Sequence, residues 1–113
     1  MQIYHNPRCS KSRQTLELIE QAGIEAEIVL YLETPPSAGE LQALLKKLGI
    51  GARDLLRKQE SEYKALGLAD AALSDAEIIS AMSQHPKLIE RPIVVSGERA
   101  VIGRPPENVK QLL

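Results

Sequence analysis

Residues 2–21 read QIYHNPRCSKSRQTLELIEQ, and the fold turns on this stretch. Gln2–Tyr4 predicts a short strand, and His5-Asn6-Pro7 predicts a turn. Ser10–Gln21 then predicts a helix, with Leu16, Ile19 and finally Ala22 on its apolar side and Gly23 as its stop. Residues 27–32, EIVLYL, form a second β run that Thr34-Pro35-Pro36 breaks. Strand, helix and strand in that order predict a parallel crossover, right-handed by the twist of the strands.

The far end of the chain supplies the complement. Residues 93–95 and 100–102 are two short β runs, and Ser96-Gly97-Glu98 between them is a hairpin signal. Pro105-Pro106 opens a final helix through Leu112. Between the two ends the pattern is helical. Ser37 and Glu40 form a capping box ahead of Leu41, Leu44, Leu45 and Leu48, one apolar face. Shorter helical pieces follow at residues 52–56 and 63–66. A second capping box, Ser74 with Glu77, opens a helix with Ile78, Ile79 and Met82 inward, ended by His85-Pro86. The expected architecture is therefore α/β. It is a four-stranded mixed sheet, β-α-β then β-β-α, within one domain over residues 1–113, with a helical insertion at about 37–86.

Composition agrees with a globular domain. Hydrophobic residues make up 43% and charged residues 26%, and with no Phe or Trp the core falls to Leu, Ile, Val and Ala. A formal net charge of −1 gives no field for nucleic acid, and no apolar run approaches the ~20 residues of a membrane span. The first residues carry neither a basic nor an apolar leader segment, and the single Cys cannot form an internal disulfide. The expected setting is the reducing cytoplasm, without nucleic-acid or membrane partners.

That single Cys carries the strongest chemical signal. Cys9 falls where a turn meets the first turn of a helix, among Arg8, Lys11 and Arg13. Unpaired N–H groups and the helix dipole favour an anion there, and the thiolate is the nucleophilic form. Ser12, three positions on, is in reach to donate a hydrogen bond to the sulfur. A buried structural Cys would instead sit among apolar neighbours. Position 12 is Ser and no second Cys exists, so any redox cycle needs an outside thiol. His5 either tunes Cys9 or is a turn residue bonded to backbone. No His, Cys and carboxylate spacing predicts a metal site, and no phosphate loop or dinucleotide fingerprint appears.

Arg57, Arg91 and Arg104 each lie beside a boundary signal, in Leu55-Leu56-Arg57-Lys58, Arg91-Pro92-Ile93-Val94-Val95 and Gly103-Arg104-Pro105. Spacing alone does not bring them together. With His5-x-x-x-Cys9-x-x-x-Arg13 and Leu30-Tyr31-Leu32-Glu33, these segments resemble, in order and over essentially the whole chain, the glutaredoxin-coupled arsenate reductase family. The resemblance implies a thioredoxin-like fold with a helical insertion. It implies that Cys9 is the nucleophile and that Arg57, Arg91 and Arg104 hold the arsenic oxyanion. It further implies that His5, Ser12 and Arg13 tune the thiolate, and that Pro92 is the cis-proline beside the active Cys. The partners implied are arsenate or a similar oxyanion, glutathione as co-substrate and a glutaredoxin, with no bound cofactor or metal. Relatives on the same scaffold leave two other readings open, a glutathione-dependent thiol oxidoreductase with another substrate and an Spx-like regulator that binds a protein partner.

Overall fold

The first strand sets the core. In the structure, a computed structural model describing residues 1–113, Ile3 is fully buried on β1 (Gln2–Tyr4). It lies opposite Ile28 of β2 (Glu27–Val29), which runs parallel, and Val94 of β3 (Ile93–Ser96), which runs antiparallel. Val94 in turn faces Val101 of β4 (Arg99–Ile102), giving the strand order β2-β1-β3-β4. Gly97 alone of the two loop residues between β3 and β4 has a positive φ, the geometry a two-residue hairpin needs at its first position. Helix α1 (Ser10–Gln21) joins the two parallel strands.

The chain forms two compact units, Met1–Thr34 with Arg91–Leu113, and Pro35–Glu90. The first holds the sheet. Ile3, Ile19 of α1, Val94 and Val109 form its fully buried core, with Leu16, Leu18, Val101 and Leu112 packed around them. Each such side chain removed from water stabilises the fold by roughly 1.5–3 kcal/mol.

Three expectations for this unit change. The second strand ends at Val29, because the Leu30 carbonyl leaves the ladder and accepts from the N–H groups of Glu33 and Thr34 and from the Thr34 hydroxyl. The residues after Leu30 therefore form turns rather than strand. The final helix, Pro106–Leu112, is a 3₁₀ helix, and Asn108 at its start donates to the carbonyls of Ile102 and Arg104. The buried stripe of α1 is Ser12, Thr15 and Ile19, while Ala22 is exposed. Two hydroxyls are tolerated on that stripe because each has a hydrogen-bond partner.

The second unit is helical. In α2 (Ala38–Leu48) the Ser37 hydroxyl accepts from the Glu40 N–H at 3.2 Å, half of the expected capping box. In α4 (Asp75–Gln84) the Ser74–Glu77 box closes in both directions. These helices pack on each other and bury Leu41, Leu44 and Leu45 on one, Ile78, Ile79 and Met82 on the other. Between them lie a 3₁₀ turn at Ala52–Leu55 and the short helix α3 (Ser61–Ala65). A single antiparallel bridge, Leu56 with Ile89, closes the unit, backed by Arg57 N–H to the Leu88 carbonyl and Glu90 N–H to the Leu55 carbonyl. No helix is long and apolar enough to cross a membrane.

Candidate active site

The site begins where β1 ends. The His5 N–H still donates to the Val29 carbonyl at 2.9 Å, and Asn6 then turns the chain. Its Oδ1 accepts from the Arg8 N–H at 3.0 Å, its carbonyl accepts from the Cys9 N–H at 3.0 Å, and its own N–H donates to Ser12 Oγ at 3.1 Å. Arg13 Nη1 closes the loop by donating to the Pro7 carbonyl at 2.9 Å. Cys9, with φ −95 and ψ 121, is thereby the N-cap of α1, and its carbonyl accepts from the Arg13 N–H. Cys9 has no side-chain oxygen to cap the helix. The sulfur stands instead at the helix end where unpaired donors and the dipole favour negative charge.

Opposed effects act on that sulfur. Cys9 is only 8% exposed. Burial pushes its thiol up, but the Ser12 N–H, the Arg91 guanidinium by hydrogen bond and by charge, and the Lys11 N–H together outweigh burial and leave it below its ordinary value. Arg104 approaches from the other turn, its Nη2 3.9 Å from Cys9 Sγ. Each of these arginines precedes a cis peptide bond, Arg91–Pro92 and Arg104–Pro105. Cys9, Ser12, Arg91 and Arg104 thus share one place, with Pro92 beside Arg91.

His5 is 6% exposed and its Nδ1 lies 2.6 Å from Ser12 Oγ. Burial, and then the charge of Arg13, lower the pKa of His5, so the ring is neutral in neutral solution. The serine reaches Cys9 through its backbone N–H, while its hydroxyl engages His5 and Asn6. Arg13 acts on the Pro7 carbonyl and on His5. Arg57 belongs to the second unit, where its Nη1 meets Glu90 at 2.9 Å and its Nε meets Glu60 at 3.3 Å. A cavity of about 310 Å³ opens beside the Cys loop, between residues 5–8 and Leu30, Leu32 and Glu33. No group of His, Cys, Asp or Glu is gathered to hold a metal ion.

Three residues that shape this site were not among the expected site residues. Asn6 builds the loop, and its signal was the Asn-Pro turn pair. Thr15 and Gly103 pack against each other, and the one sequence signal was a Gly immediately before Arg104.

The chain is similar to known proteins over essentially its whole length. The model of the ArsC family matches residues 4–112. An arsenate reductase from Haemophilus influenzae is 53% identical, spanning 98% of this chain and 97% of its own length. The Escherichia coli protein described as uncharacterized protein YfgD is 56% identical over all of this chain and 96% of its own. Among solved structures, an arsenate reductase from Vibrio cholerae superposes with a TM-score of 0.97 at 52% identity, covering 100% of this chain and 98% of that one. Sheet order, the cysteine at the helix start and the match over nearly every residue lead to one assignment: this chain belongs to the ArsC family, with its thioredoxin-like fold.

Proposed function

We propose that this protein reduces arsenate to arsenite, with Cys9 as nucleophile and with electrons from glutathione and a glutaredoxin. The observation that carries the reading is the pairing of an acidified buried thiol with two guanidinium groups at the same sulfur. The names of the arsenate reductases above support the substrate.

The chemistry follows from charge. Arsenate is an oxyanion, and a thiolate attacking it meets repulsion worth about 4 kcal/mol per unit pair at ~4 Å and an effective dielectric near 20. Arg91 and Arg104 offset that repulsion with forked donors that stay charged. Their contacts strengthen as negative charge builds on the oxygens, which lowers the barrier rather than only tightening binding. The Cys9 sulfur forms a bond to arsenic(V) and one oxygen leaves as water. Glutathione then displaces a second water at arsenic, a glutaredoxin thiolate takes the glutathione sulfur as a mixed disulfide while the electron pair passes to arsenic, and one water hydrolyses the Cys9–arsenic(III) bond to release arsenite and regenerate Cys9. One arsenate and two thiols become one arsenite, one disulfide and one water. The family pattern adds Arg57 to the oxyanion ligands. Within its own unit that side chain is paired with Glu60 and Glu90, and the reading rests on Arg91 and Arg104.

The test is direct. Purified protein supplied with glutathione, glutaredoxin and arsenate is expected to release arsenite, and Cys9→Ser to release none. A wild-type protein that forms a mixed disulfide with glutathione but yields no arsenite would transfer the assignment to a thiol oxidoreductase with another substrate.

A further inference from the structure

Gly103 occupies the tightest place in the sheet unit. It follows β4 and immediately precedes Arg104. A Cβ placed there would lie 2.6 Å from Thr15 Oγ1, 2.9 Å from Thr15 Cγ2 and 2.8 Å from Pro92 Cγ. All three distances are shorter than real Cβ contacts tolerate. The obstacle is space and not conformation, since Gly103 is absent from the glycines of positive φ. Neither neighbour yields easily: Thr15 is fully buried and β-branched, and Pro92 is a buried ring.

The same glycine ties three segments together by its backbone. Its N–H donates to the Pro92 carbonyl at 2.9 Å, which joins the end of β4 to the turn that carries Arg91. Its carbonyl faces Thr15 Oγ1 at 3.3 Å. That hydroxyl also donates to the Lys11 carbonyl at 2.8 Å, in the first turn of the helix that Cys9 caps. We propose that Thr15 and Gly103 are positioning residues that hold the Arg91 and Arg104 turns against the first turn of α1, so that both guanidinium groups meet the Cys9 sulfur.

Several observations on the thiol converge on this pin. The Lys11 N–H and the Arg91 guanidinium are among the groups that acidify Cys9; Thr15 bonds to Lys11 itself, and Gly103 bonds to Pro92, the residue after Arg91. Arg104 Nη2, already 3.9 Å from the sulfur, has little distance to lose. For the thiol the inference stands on this geometry alone; for the oxyanion it rests on the function proposed above.

The experiment compares Thr15→Val, Thr15→Ser and Gly103→Ala with wild type. Three quantities are read: the pH midpoint of Cys9 alkylation, kcat and KM for arsenate, and the thermal midpoint. Thr15→Val is expected to raise the alkylation midpoint and to lower kcat/KM by about 10- to 100-fold, the scale of a small misplacement at a distance from the chemistry. Thr15→Ser keeps the hydroxyl and is expected to lie close to wild type in both. Gly103→Ala is expected to shift both in the direction of Thr15→Val; should it fail to fold, the two Thr15 variants carry the test. A Thr15→Val protein with lower thermal stability but an unchanged alkylation midpoint and unchanged kcat/KM would overturn the inference. If wild type reduces no arsenate, the proposed function fails while the alkylation midpoint still tests the pin.

Discussion

At Cys9 burial is opposed by hydrogen bonds from the Ser12 N–H, Arg91 and the Lys11 N–H and by the charge of Arg91, which together prevail. The pH dependence follows with a definite sign. The native thiol ionises more readily than the unfolded one, so thiolate is already present below the ordinary thiol pKa. Iodoacetamide alkylation of the native protein is therefore expected to have a lower pH midpoint than alkylation of the same protein in urea; equal midpoints would remove the activated thiol. The two arginines separate by readout. Arg91 acts on the sulfur by hydrogen bond and charge, whereas Arg104 makes one long contact. Arg91→Ala is expected to raise the alkylation midpoint more than Arg104→Ala does, while each lowers kcat/KM for arsenate by at least about 10-fold, some 1.4 kcal/mol. The local signals around Cys9 were legible, since a turn, a helix start and nearby cations occur within a few residues. The approach of Arg91 and Arg104 was not, because strand pairing brings them from the far end of the chain. The route from Ser12 to the sulfur was also hidden. Its side-chain chemistry invited a hydroxyl donor, yet His5 and Asn6 occupy that hydroxyl and the backbone N–H does the acidifying.

Elements were readable where sequence-local forces decide them. The bounds of α1 follow from a turn before it and Gly23 after it, and the apolar faces of α2 and α4 follow from their spacing. They were misread where a distant or competing acceptor decides. Leu30 had every β propensity, but its carbonyl closes two turns, so β2 stops one residue earlier. The edge strand also keeps Ile28 48% exposed. The two capping motifs give a comparison within one unit. Ser74 and Glu77 satisfy each other's orphan donors, whereas Ser37 satisfies one. Removal of an N-cap hydroxyl costs typically about 1 kcal/mol. Ser74→Ala is expected to lower stability by at least as much as Ser37→Ala, each by some 0.5–2 kcal/mol in urea midpoints. A larger loss from Ser37→Ala would mean that the additional bond the Ser74 hydroxyl donates to Glu77 Oε1 contributes nothing.

For the whole molecule, the division into a sheet unit and a helical unit was visible as two β-rich ends around a helical middle, and the observed second unit, Pro35–Glu90, extends a few residues beyond each end of the expected insertion. What could not be read is how the sheet unit treats its buried polar groups. His5 was an open case between tuning and turn-making; it proves to be an enclosed neutral ring, bonded to Ser12 and facing the charge of Arg13. That enclosure links the stability of the entire fold to pH. In the unfolded chain the imidazole takes a proton near pH 6.5. In the native protein burial first, and Arg13 second, hold its pKa lower, so folding favours the neutral ring. The resulting contribution is complete above about pH 6.5 and is lost progressively as pH falls from there through the lowered native value. Urea unfolding at pH 7.5 and at pH 5.5 is expected to show a fall in stability for wild type that His5→Asn reduces, since Asn carries no titrating group. Arg13→Gln removes the repelling charge and is expected to give an intermediate loss, because burial remains. An equal fall in wild type and His5→Asn would show that the ring accepts its proton in the folded protein without penalty, and the neutral His5–Ser12 pair behind the thiol would have to be abandoned.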